Sequence, residues 1–426
     1  MSNLIERGNK VLSPVLGRFF SDLEVSHGKG MYLYGVDGKK YLDFAAGIAV
    51  ASTGHCHKDV VDAIKKQAET LIHPCIGVAY YEPPIKLAEE LNTILGSKNY
   101  YYFFNQSGSE AIEASIKLAK YVTNKPGIIA FKGGFHGRSL GALSLTTSKE
   151  KYREGYSPLL SETSVSFPYP RCYRCPWKQS KDSCDFECIK DFKEFIEPKI
   201  NKTAALLIEP VLGEGGYHEA PKEFIQALRK ICDETGILLI LDEVQTGVGR
   251  TGKWFAFNHY AIEPDILAIA KGIGSGMPLG ACIAKKEVMA EWKPGAHGGT
   301  YGGNPVTCAA GIATLEVLKK HIDMVPDLGN YAIQLLTKKL GNTPYIGDIR
   351  GKGLMLAIEF VKDKETKEPN PEKMISVMNN CLKKGLIVIS CGIEDNVIRI
   401  IPPLTITKEE LKLGLDILLD VINDNT

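Results

Sequence analysis

Lys271 directly follows an apolar run, residues 266–270, of the kind that forms a buried strand. Asp242 directly follows another, residues 237–241. Parallel sheets gather ligands at the carboxyl ends of their strands, so an amine and a carboxylate placed this way can share one site. That pair meets the needs of pyridoxal phosphate (PLP) chemistry. A lysine forms a Schiff base with the cofactor, and an aspartate keeps the ring nitrogen protonated so that the ring accepts electrons.

The other strand ends add to this site. After residues 100–104 come Ser107, Gly108, Ser109 and Glu110, with the spacing of a capping box. A helix should begin there, and its free N–H groups and dipole make an anion site that suits the PLP phosphate. Taken alone, the motif is also an ordinary helix cap. After residues 127–131 come Gly133, Gly134, Phe135, His136, Gly137 and Arg138. Phe135 can stack on a flat ring, and Arg138 can take a carboxylate in bidentate fashion. In isolation they also read as a core phenylalanine and a surface arginine. After residues 204–208 come Glu209 and Pro210, then Gly213, Glu214, Gly215 and Gly216, which read as a site acid or as a solvated loop. Val244 and Gln245 follow Asp242, with Gln245 placed to bond the phenolic oxygen of the ring. No single motif is specific; the convergence of five strand ends on one chemistry is.

Those strand ends need a scaffold. Apolar runs at 100–104, 127–131, 204–208, 237–241 and 266–270 alternate with helical segments such as 223–235 and 306–319. This implies an α/β domain with a mainly parallel sheet over residues 61–325. Residues 1–60 and 326–426 differ, with a hairpin-like piece at 32–43 that turns at Asp37-Gly38. A late helix opens on a Thr407/Glu410 capping box and carries Leu411, Leu415, Leu418 and Ile422 on one face. The two ends should meet as a second, smaller α+β domain. Residues 168–188, rich in proline, cysteine and charge, read as a surface insertion.

The 426 residues carry 51 basic and 50 acidic side chains, a net charge of +1, which gives no bulk-charge case for a nucleic-acid or membrane surface. No apolar run approaches the ~20 residues of a membrane span. Residues 1–10 lack an apolar export core, and the 11 cysteines scatter mostly through core segments, so a cytoplasmic, reduced protein is expected. Cys172, Cys175, Cys184 and Cys188 have a spacing open to a structural metal, disulfides or free thiols; no catalytic metal is expected. Gly247 to Lys253 has the spacing of a nucleotide P-loop, but Trp254 stands where the Mg²⁺-binding hydroxyl should be. His55-Cys56-His57 reads as a turn rather than a metal site.

Together these residues resemble the class III, 4-aminobutyrate/ornithine group of PLP-dependent aminotransferases over nearly the whole chain. The resemblance runs through 41–50, 53–55, Ser107 to Ala111, Phe135 to Arg138, Glu209 to Val211, Leu241 to Gln245, Lys271, Gly299 to Tyr301, Cys391-Gly392 and 399–406. The cysteine-rich insertion resembles archaeal members. The resemblance implies a fold-type I enzyme with a large domain built on a seven-stranded type of sheet, working as a homodimer or dimer of dimers. It implies Lys271 and Asp242 as catalytic residues. Gly108, Ser109, Phe135, His136, Glu209, Val244 and Gln245 would join them in binding the cofactor, and Thr300 would serve the cofactor of the partner subunit. For substrate it implies Ile48 as a pocket wall, Arg138 on the distal carboxylate, Arg399 on the α-carboxylate, and Glu214 pairing with Arg399 when a substrate lacks that group. The expected reaction is transfer of the amino group of 4-aminobutyrate to 2-oxoglutarate. Ornithine or acetylornithine are alternative donors. An amino-acid racemase of the same fold and a noncatalytic PLP-binding scaffold are alternatives from other classes.

Overall fold

A computed structural model describes residues 3–180 and 183–424. Its centre is a seven-stranded sheet in the order Tyr100–Asn105, Gly280–Lys285, Ile266–Ile269, Leu238–Asp242, Thr203–Ile208, Gly127–Phe131 and Ser164–Phe167. Only Gly280–Lys285 runs antiparallel to its neighbours. The strands at the middle are apolar throughout because helices cover both faces. Alternation then divides each strand between two cores. Leu206, Ile208, Leu239, Leu241, Leu267 and Ile269 enter the larger one. Ala205, Leu207, Ile240, Ile266 and Ala268 enter the other, against the helix Gly108–Thr123.

The expected strands end within a residue or two of the observed ones. Two more, Ser164–Phe167 and Gly280–Lys285, carry weak signals. The first is a short edge, and the second is Gly-Ala-Cys-Ile-Ala-Lys, whose small residues are poor strand formers.

Both chain ends add antiparallel structure. Val25–Lys29, Tyr32–Gly35 and Lys40–Asp43 form a meander, to which Leu386–Ile387 adds a parallel strand. Ile346–Lys352, Met355–Phe360, Val397–Ile400 and Ile389–Cys391 form another sheet. The helix Lys408–Asp424 has its capping box: Glu410 N donates to Thr407 Oγ1 and Thr407 N to Glu410 Oε2, both at 3.1 Å. Its apolar stripe at Leu411, Leu415, Leu418 and Ile422 is fully buried. The insertion is less superficial than its composition suggests. Tyr169 and Cys188 are buried at its two ends, and Cys188 lies on the helix Glu187–Ile196. No described helix is long and apolar enough to cross a membrane.

Candidate active site

The strand ends converge on a cavity of about 380 Å³. Of the residues singled out from sequence, Gly108, Ser109, Phe135, His136, Glu209, Glu214, Asp242, Val244, Gln245 and Lys271 line it. Ile48, Arg138, Thr300 and Arg399 do not.

One end of the cavity is a helix start. Ser107 caps Gly108–Thr123 by accepting from Glu110 N at 3.2 Å, and the Glu110 carboxylate accepts from Gln106 N at 3.0 Å. The first N–H groups of the helix remain for an anion. A Cβ on Gly108 would lie 2.8 Å from Val244 Cγ1, so glycine is what lets this turn pass beside Val244.

The floor is acidic and ordered. Asp242 and His136, both buried, meet at 2.8 Å between Oδ2 and Nδ1, and Val244 N donates to Asp242 Oδ1 at 3.0 Å. Burial opposes charge on His136, but its bond to Asp242 and the nearby carboxylates raise its pKa above the ordinary value. Glu209 lines the cavity, yet both its oxygens are taken. Oε1 accepts from Phe135 N and Oε2 from Gly213 N, each at 2.8 Å. It fastens two site loops together while lining the cavity. Burial, then the charge of Asp242, push its pKa up. Gln245 Oε1 accepts from the Tyr217 hydroxyl at 2.7 Å.

Lys271 begins a short turn beyond Ile266–Ile269 with φ of 49°, a left-handed conformation that costs a non-glycine residue on the order of 1 kcal/mol or more. Its accessible surface opens into the cavity. Burial, then the charge of Arg399, lower its pKa against the pull of Asp242, Glu209 and Glu214. A neutral amine, the nucleophilic form, is thereby favoured.

The donor set fits PLP: an amine, an anion-binding helix start, Phe135 and Val244 on the cavity wall, and a buried carboxylate. Arg399 Nη2 lies 3.0 Å from Oε2 of Glu214, which lines the cavity. Arg399 is 1% exposed, and its Nε and Nη1 have no partner among the described residues. Such orphaned donors are costly unless a ligand uses them. Arg138 is exposed, with Cζ 4.2 Å from the Tyr152 ring centroid. Ile48 sits at φ 65°, within a left-handed turn whose Ala45 and Ala46 N–H groups are held by Asp43. His55 bonds Asp43 at 2.7 Å, and His57 Nδ1 accepts from Asp59 N at 3.3 Å at the start of the helix Lys58–Thr70. Thr300 is exposed.

Sequence reasoning missed Val50, the 276–279 segment and Tyr152. The first two line the cavity, and Tyr152 reaches Glu214. Val50 stands in the 41–50 stretch of the resemblance but was given no role, and no site motif marks residues 277–279 or Tyr152. The P-loop look-alike is structural: Arg250 is buried and donates to Leu354 O at 3.1 Å and Pro402 O at 2.6 Å. The four insertion cysteines border one pocket of about 20 Å³. Among the described residues, no group of three or more His, Cys, Asp or Glu is placed to hold a metal.

Comparison with known proteins agrees with this geometry. The model of the family described as aminotransferase class-III matches residues 18–422. The acetylornithine aminotransferase of Methanocaldococcus jannaschii is 41% identical, over 99% of this chain and 98% of that protein. The 4-aminobutyrate aminotransferase of Escherichia coli is 38% identical over 98% and 95%. Two archaeal racemases match at 38% and 36%. Among solved structures, a Bacillus anthracis aminotransferase superposes with a TM-score of 0.93 at 32% identity, covering all of both chains. The chain belongs to the class-III aminotransferases, enzymes of the fold-type I architecture that use pyridoxal phosphate.

Proposed function

We propose that the protein transfers the terminal amino group of an ω-amino acid, 4-aminobutyrate first among them, to 2-oxoglutarate, giving succinic semialdehyde and glutamate. The observation that carries this reading is the 3.0 Å pair of Arg399 and Glu214. Glutamate presents two carboxylates, one for Arg138 and one for Arg399. The reacting carbon of an ω-amine carries none, which would leave Arg399 buried and unbalanced. Glu214 supplies the missing charge. One site can then serve both halves of a transamination, with Glu214 moving off Arg399 when the α-carboxylate arrives.

PLP, when bound, supplies an electron sink for the carbon that bears the nitrogen. The chain's own residues do the rest. Gly108 and Ser109 would hold the phosphate, Phe135 and Val244 the ring faces, Asp242 the ring nitrogen, and Gln245 the phenolic oxygen. His136 orients Asp242 at 2.8 Å. Lys271 would anchor the cofactor and would hold and move the proton at the reacting carbon. Its lowered pKa suits it to act as a base. Arg138 orients the substrate's far end.

A second donor, N-acetylornithine, is favoured by the 41% identity to an acetylornithine aminotransferase and meets the same charge pattern at its reacting carbon. A racemase would need an α-carboxylate on its only substrate and gives Glu214 no task. Residues 61–325 form the cofactor domain in this reading, with 1–60 and 326–426 as the smaller one. Two chains make the working unit. The exposure of Thr300 and of Tyr301, 62% exposed, supports a role toward a partner subunit. The test is glutamate formation by PLP-loaded protein from 2-oxoglutarate with 4-aminobutyrate or N-acetylornithine. The absence of product from every ω-amine sinks the reading.

A further inference from the structure

Tyr152 closes the short turn Glu150–Tyr152, in a stretch that follows no strand of the large sheet. Its hydroxyl donates to Glu214 Oε1 at 3.3 Å, while Arg399 holds Oε2 of the same carboxylate at 3.0 Å. Its ring face carries the Arg138 guanidinium at 4.2 Å, and it meets Phe135 edge to face at 5.7 Å and 80°. One side chain thus touches the proposed ring-stacking residue, the distal-carboxylate arginine and the switching acid. Burial, then the Glu214 charge, push the phenol pKa to about 12, which keeps the hydroxyl a donor. The same stretch also holds Glu214 from behind. Lys149 is buried and bonds Gly392 O and Asp395, and Gly392 N donates to Glu214 O at 2.9 Å.

We propose that Tyr152 is a positioning residue that determines specificity, its hydroxyl setting the balance between Glu214 closed on Arg399 and Arg399 open to an α-carboxylate. This rests on the Glu214–Arg399 reading above. The bond is made in the closed arrangement and so favours it. Ligands with one carboxylate bind without opening the pair, whereas ligands with two must first displace Glu214. A hydrogen bond of this kind shifts an equilibrium by roughly five- to tenfold. The ring acts separately, as a cation–π seat for Arg138 that both ligand classes use.

The experiment is calorimetric binding of glutarate and butyrate, two unreactive acids, to PLP-loaded enzyme. Tyr152→Phe keeps the ring and removes only the hydroxyl. It should tighten glutarate by roughly five- to tenfold and leave butyrate unchanged. Glu214→Ala should also tighten glutarate, and adding Tyr152→Phe to it should change nothing further, because the hydroxyl acts through Glu214. Tyr152→Ala, which also loses the seat for Arg138, should weaken butyrate. If Glu214→Ala tightens glutarate but Tyr152→Phe does not, the Tyr152 proposal fails and the switch stands. If Glu214→Ala leaves glutarate unaffected, the switch falls and the Tyr152 role falls with it.

Discussion

Arg399 and Glu214 meet at 3.0 Å across a buried boundary between the sheet Ile346–Lys352, Met355–Phe360, Val397–Ile400, Ile389–Cys391 and the loop beyond Thr203–Ile208. Only one of the arginine's donor positions is used by this pair, and two others have no partner among the described residues. The carboxylate balances the charge of the buried arginine, and a substrate α-carboxylate would have to take its place.

Removing the acid should therefore separate the two half-reactions. Glu214→Ala should lower kcat/KM for an ω-amine donor by on the order of 100-fold, the cost of exposing substrate to an unbalanced buried charge. The glutamate half-reaction should be unchanged or faster. Rates measured for each half-reaction alone decide this, and equal losses in both would refute the switch.

Lys271→Ala should abolish turnover, by at least roughly 10⁴-fold, because anchor and base are lost together. The cavity already encloses this side chain, so the fold should persist. Steady-state rates and a thermal melt check the two halves of the expectation. Turnover near that of the unaltered enzyme would remove Lys271 from the mechanism.

Gly108→Ala places a methyl 2.8 Å from Val244 Cγ1 at the proposed phosphate seat. Overpacking of this kind costs about 1–3 kcal/mol, so PLP should bind at least roughly tenfold more weakly. A fluorescence titration of cofactor-free protein measures it. Unchanged affinity would place the phosphate elsewhere.

The position of Asp242 and Lys271 was legible because strand ends in an α/β sheet are where ligands gather, and buried runs mark those ends. Ser107 and Glu110 were legible through capping chemistry, which is local. The pairing of Arg399 with Glu214 was not legible from spacing, since Arg399 lies on an inner strand of one sheet and Glu214 in a loop beyond a strand of another, and only a family resemblance suggested it. Tyr152 left no signal at all. It lies among charged residues in a short turn, and only three-dimensional packing brings it to Glu214. Glu209 was read as a cofactor-binding residue; it lines the cavity and also accepts from Phe135 N and Gly213 N, a loop-holding role that its place in the sequence did not announce.

Acid should destabilise the protein through Glu359. Burial works to raise its pKa, but Arg350 and then Arg174 outweigh burial and hold it below the usual carboxylate range. A carboxylate with a depressed folded pKa stabilises above its unfolded value of about 4.3 and loses that contribution as pH falls through the folded pKa. Stability should therefore drop below about pH 4.3. Glu359→Gln should cost about 3–5 kcal/mol at neutral pH and flatten the acid limb. Denaturant melts across pH test both, and an unchanged acid limb in the variant would assign the loss to other groups.

The central claim is ω-transamination at the Lys271 site. Its most direct test is to give PLP-loaded protein 2-oxoglutarate with 4-aminobutyrate, and in parallel with N-acetylornithine, and to count glutamate formed per donor consumed. The account predicts one glutamate per aldehyde from at least one of these donors. No glutamate from either, together with interconversion of L- and D-amino acids by the same preparation, would contradict it and make the protein a racemase.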